Sequence, residues 1–80
     1  MSSINSVKRK LRSYGMREAY TSGGANILYC GYIAIRIIND YTVETWTAGE
    51  TSSGTINTYD TIGQRNEAVF DMGLIGLQVI

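Results

Sequence analysis

Five cations fall within the first seventeen residues, Lys8, Arg9, Lys10, Arg12 and Arg17, with no acid among them. The chemistry such a cluster offers is contact with phosphates, each of which makes binding salt-dependent as its counterions are released. Residues 18–80 reverse the sign, with Arg36 and Arg65 set against Glu18, Asp40, Glu44, Glu50, Asp60, Glu67 and Asp71, so a net charge of zero conceals +5 followed by −5. Glu67 and Asp71 stand one helical turn apart, a like-charge pair that costs a few tenths of a kcal/mol unless a cation is near. With Glu44, Glu50 and Asp60 they compose a candidate acidic docking patch for a basic protein, and Tyr32 and Trp46 are its candidate aromatic anchors. The simpler account of either cluster is a solvated helix face.

Catalytic chemistry finds little to work with. The chain has no His and one Cys, so zinc sites and nucleophile–base pairs cannot be assembled, and no two carboxylates stand out as sharing a cleft. No cofactor or metal is implied, and an enzyme is not expected. Cys30 lies inside an apolar run and reads as a small buried side chain, because a reactive thiol needs an accessible, electropositive setting. Gly23-Gly24 and Gly49 to Gly54 are glycine-rich, but neither leads into the lysine and helix start of a phosphate loop, and turn formation accounts for both.

The elements that must position these side chains are organised around Ile27–Ile38, the longest apolar run. Its β-branched and aromatic content, bounded by turn formers, reads as one central strand. Ile27, Tyr29, Ile33, Ile35 and Ile37 make an apolar face, and Leu28, Cys30, Tyr32, Ala34, Arg36 and Ile38 a mixed one. Before it, Ile4, Val7, Leu11 and Tyr14 recur at helical spacing after Ser3 as N-cap and before Gly15 as stop. The four bases fan over the rest of that helix. Residues 16–21 form the first arm of a hairpin with the central strand, and 41–48 a strand after it. A two-residue Asn39-Asp40 turn would set Ile35 opposite Glu44. A three-residue connection, which is preferred, sets Arg36 opposite Glu44 and Ile37 opposite Val43 and asks Tyr41 for a left-handed backbone.

Thr55–Tyr59 is either a short edge strand or the approach to a helix. Thr61 to Gln64 fits a capping box. Ile62, Val69, Phe70 and Met72 form the buried side of the second helix, on which Arg65 snorkels, and Gly73 stops it. Ile75–Ile80 alternates and reads as a final strand. The expected fold class is therefore α+β: a mostly antiparallel sheet of four to five strands with two helices on one face, in the order helix, three strands, an optional fourth, helix, strand. If both helices cover one face, Leu28, Tyr32, Ala34, Ile38 and Trp46 stay exposed on the other, which marks a protein partner or a homodimer through the sheet face.

Eighty residues make one domain, 1–80, of modest stability. The apolar run is too short and too interrupted to span a bilayer, the opening residues lack the apolar core of a secretory signal, and one Cys suits a reducing compartment, so the expected location is cytoplasmic. The helix, three strands, helix order resembles double-stranded-RNA-binding domains in element order only, since Thr61-Ile-Gly-Gln-Arg-Asn lacks the lysines those domains aim at phosphates. In general character, small, two-signed, tyrosine-rich and without a catalytic set, the chain resembles the phage-encoded inhibitors of bacterial defence, the anti-CRISPR proteins among them. That resemblance implies a viral protein acting in the host cytoplasm, which binds a CRISPR effector and blocks nucleic acid from it through Glu44, Asp60, Glu67, Asp71 and nearby aromatics. The alternative is a small nucleic-acid-binding regulator using the basic first helix.

Overall fold

The computed structural model describes residues 4–30, 33–47 and 54–78. Ser3, Tyr32, Gly49 and Glu50 lie outside them. The elements are α1 (Ile4–Ser13), β1 (Arg17–Tyr20), β2 (Asn26–Tyr29), β3 (Ile33–Asn39), β4 (Thr42–Thr47), β5 (Thr55–Thr58) and α2 (Ile62–Gln78). The five strands form one antiparallel sheet in the order β1-β2-β3-β4-β5. Both helices lie on one face of it, which makes the α+β architecture expected from the sequence.

α1 buries Val7 and Leu11. Tyr14, expected on the same stripe, is 57% exposed, because the helix has already ended. Gly15 takes a left-handed φ of 115°, its N–H donates to Arg12 O at 3.1 Å, and the Met16 N–H donates to Leu11 O at 3.0 Å. This is the Schellman arrangement, with Met16 and Leu11 as its apolar contact; both are buried in the core.

The run read as one central strand is two. A single twelve-residue strand would be about 40 Å long, more than the 32 Å longest extent of the molecule. The chain reverses instead, and the Cys30 N–H donates to Ile33 O at 3.0 Å. The reversal also changes which side chains meet the helices. Leu28 pairs with Ile35, and both are fully buried, so β2 turns its even residues inward and β3 its odd ones. Ile27 and Tyr29 therefore leave the core face expected of them, and Leu28 leaves the exposed face. Cys30 packs half-buried at the core margin.

Between β3 and β4 the preferred register is the one adopted, with Arg36 opposite Glu44 and Ile37 opposite Val43. An irregularity between Ile37 and Asn39 absorbs the extra residue. Tyr41 needs no left-handed backbone, since no described residue other than glycine has positive φ; its N–H instead donates to Asn39 Oδ1 at 2.8 Å.

α2 starts as expected. The Gln64 N–H donates to Thr61 Oγ1 at 3.0 Å, and Gln64 Oε1 accepts from the Asp60 N–H at 3.1 Å. It does not stop at Gly73, and it occupies the residues expected to form a last strand through Gln78. The glycines serve contact rather than termination. A Cβ on Gly73 would come within 2.6 Å of Leu11 Cδ2, and one on Gly76 would collide with Ile33 Cγ2. Of the expected buried side, Val69 is fully buried, while Ile62 is 37% exposed. Arg65 does not snorkel. It is 3% exposed and ties α2 to the β3–β4 turn, donating from Nη1 to Asn39 O at 2.9 Å and from Nη2 to Asn66 Oδ1 at 2.9 Å.

Candidate docking surface

The face of the sheet turned away from the helices is built by alternation along five strands. One row across it reads Ala19, Ile27, Arg36, Glu44, Ile56, and the next Arg17, Tyr29, Ala34, Trp46. Ile56 is 58% and Tyr29 37% exposed, and Ile27, Ala34 and Trp46 are half-buried. At a strand spacing of about 4.8 Å the five strands spread this face over roughly 19 Å.

Its centre is an ion pair. Arg36 Nη2 lies 2.8 Å from Glu44 Oε1, and the other oxygen, Oε2, accepts the Gly54 N–H at 3.1 Å. Glu44 is only 4% exposed, a buried carboxylate with both oxygens engaged. Gly54 can approach because it has no side chain: a Cβ there would strike Thr45 O. Glu44 is thus a matched internal charge and not a member of an acidic patch.

The remaining candidate residues divide between the two sides of the sheet. Glu67 and Asp71 are exposed on α2, on the helix side, and Asp60 is exposed at the start of that helix. Trp46 belongs to the open face. The sequence-based acidic and aromatic site is therefore not one surface. The basic cluster divides as well. Lys8 Nζ and Arg12 Nη1 reach Glu18 of β1 at 2.9 Å and 3.0 Å, and Asn26 Nδ2 donates to the same carboxylate at 3.0 Å. Donation by Lys8, followed by that from Asn26, holds the Glu18 carboxyl below its ordinary value. Arg17 faces the open side beside Tyr29. Arg9 and Lys10 remain, without a carboxylate partner among the described residues. With Glu67, Phe70 and Val7 they line a groove of about 710 Å³ between α1 and α2, where Lys10 Nζ sits 5.4 Å from the centre of the Phe70 ring. The two rival sequence clusters thus meet as walls of one groove.

Sequence reasoning missed Ile27, Tyr29 and Ile56 on the open face and the tethering role of Arg65. Gly31, a turn former inside the apolar run, was the signal for the first two. Among the described residues no group of three or more His, Cys, Asp or Glu is placed to hold a metal, and no described helix is long and apolar enough to cross a membrane. No family model, curated protein or solved structure matches the chain.

Proposed function

We propose that the chain is a non-enzymatic protein-binding module that docks through the open face of its sheet and inhibits by occlusion, in the manner of the anti-CRISPR proteins it resembles in general character. One observation carries this reading: apolar side chains spread over a sheet face that no described helix covers, around an ion pair that is already matched. Such a face can be dried by a partner without stranding a charge at its centre, and large exposed apolar patches on small proteins mark partner surfaces. The partner that fits has an apolar centre and an acid at the margin to meet Arg17. Tyr29 and Trp46 are the anchors, since aromatic side chains dominate interface energetics.

The chain's one tryptophan is within the proposed interface and reports on it directly. Titration with purified guide-loaded CRISPR effectors is expected to shift Trp46 emission to the blue. Trp46→Ala, read by calorimetry, is expected to weaken the complex by about thirtyfold, the scale of a 2 kcal/mol anchor. Glu67→Lys with Asp71→Lys is expected to leave it within about threefold. Failure of every effector to bind removes the CRISPR assignment. Binding that ignores Trp46→Ala but is lost on the α2 charge reversal removes the sheet face in favour of the acidic helix.

A second reading rests on Arg9 and Lys10, which have no carboxylate partner among the described residues and are free to meet phosphates. It is a narrow one, because Lys8 and Arg12 are already held by Glu18 and Arg17 lies across the sheet.

A further inference from the structure

The two edges of the sheet are built differently. β1, at one end, carries Arg17 and Glu18, and Glu18 is clamped by Lys8 and Arg12 of α1. Charges on an edge strand, one of them turned inward, are the ordinary protection against a second chain pairing there. β5, at the other end, is paired among the described residues only with β4. Its sequence Thr55-Ile-Asn-Thr58 has no charge, no proline and no glycine, and three of its four residues are β-branched and suited to a strand.

The direction of its backbone groups follows from one hydrogen bond. The Tyr59 N–H donates to Tyr41 O at 2.7 Å, and antiparallel ladders alternate, so Asn57 and Thr55 also point their backbone groups at β4. Those of Ile56 and Thr58 point outward. The Ile56 side chain stands 58% exposed beside them.

We propose that this edge is a self-association site, at which the β5 of a second copy pairs antiparallel about a two-fold axis through Asn57. That register sets Ile56 of each copy opposite Thr58 of the other and satisfies all four outward groups of each strand. Opposed residues share a face, no like charges meet, and the exposed isoleucine gains cover from its neighbour. The contact uses the same patch on both copies and so closes at two. It also fuses two five-stranded sheets into one of ten strands, placing the two open faces side by side as a bivalent surface.

Asn57 then faces Asn57 of the partner as a non-hydrogen-bonded pair, with Cα atoms about 4.5 Å apart, inside the range a disulfide spans. In a Cys30→Ala background, Asn57→Cys is expected to oxidise to a covalent dimer at least about tenfold faster than Thr55→Cys, which the register places far from its own copy. In sedimentation, the unmodified chain is expected to double in mass as its concentration rises toward millimolar. Thr58→Pro, which removes only an outward N–H, is expected to abolish that rise while keeping the far-ultraviolet dichroism. A chain that stays monomeric at every concentration overturns the proposal. So does a dimer that survives Thr58→Pro with Asn57→Cys and Thr55→Cys cross-linking equally. Pairing of β5 with an unrelated protein's strand but never with itself would equally refute the assignment to a second copy.

Discussion

Glu44→Gln is the most informative single change to the open face. Each carboxylate oxygen has its own donor, Arg36 Nη2 at 2.8 Å and the Gly54 N–H at 3.1 Å. An amide keeps one acceptor and turns an NH2 group toward the other donor, so one of the two bonds is replaced by a clash of donors. Losing a hydrogen bond to a charged group costs about 1.5–3 kcal/mol, and removing one member of a fully buried pair about 3–5. The Arg36 side chain is 37% exposed and can rehydrate, which places the expected loss at roughly 2 kcal/mol. For a domain of this size that is a fall in Tm of about 8–16 °C. The double change Arg36→Met with Glu44→Leu strands no charge, and its remaining cost is the half-buried Gly54 N–H left without its acceptor, so it is expected to lose about 1–2 kcal/mol relative to the parent. Urea unfolding followed by Trp46 fluorescence measures all three chains. A Glu44→Gln protein within about 0.5 kcal/mol of the parent, or a double variant that loses more than the single one, refutes the view of Glu44 as a matched internal charge.

Gly76→Ala is expected to destabilise by about 1–3 kcal/mol as its Cβ meets Ile33, although an alanine in an open helix position would stabilise by up to about 1 kcal/mol; the sign of the change in urea midpoint decides between contact and mere helix propensity. Glu18, its carboxyl held low by Lys8 and Asn26, contributes stability that is complete above its ordinary pKa of 4.5 and is lost as pH falls below that toward its folded value. Glu18→Gln is accordingly expected to flatten the acid side of the Tm-against-pH curve, and an unchanged slope would contradict the clamp. If duplex nucleic acid binds at all, Arg9 and Lys10, the two cations of α1 without a carboxylate partner among the described residues, allow a salt slope of only about −1.8, to be read from titrations at several salt concentrations; a slope near −4.5, the value for five phosphates, would show Lys8, Arg12 and Arg17 engaged as well.

The parts of the fold legible in the sequence were those set by short-range rules. Helix spacing located Val7 and Leu11, Gly15 marked the end of α1, Thr61 and Gln64 marked the start of α2, and the match of Arg36 with Glu44 selected the β3–β4 register. What escaped were features in which contact overrides local signals. The chain reverses between Tyr29 and Ile33, inside a run whose composition favours strand throughout, and the reversal exchanges the parity of Leu28 and its neighbours. Gly73 and Gly76 resemble a stop followed by an alternating strand, yet they are the places where α2 lies against Leu11 and Ile33. For the candidate site, side-chain identity pointed to charge clusters, but charge counting cannot see that Glu18 consumes Lys8 and Arg12, or that Arg36 consumes Glu44. Trp46 and Ala34 were foreseen on the open face because β3 and β4 kept the expected parity up to the irregularity after Ile37.

Every strand of this sheet lies beside its neighbour in the chain, and that has a kinetic meaning. Consecutive hairpins close short loops and form on the microsecond scale, whereas packing Gly73 onto Leu11 closes a loop of some sixty residues at greater entropic cost. The sheet is therefore expected to zip first and the helix pair to lock last. Changes at Leu11, Gly73 or Gly76 then act on the rate of leaving the native state more than on the rate of reaching it, and appear chiefly in the unfolding arm of a chevron plot. The last helix sets how long the fold persists rather than how quickly it is found.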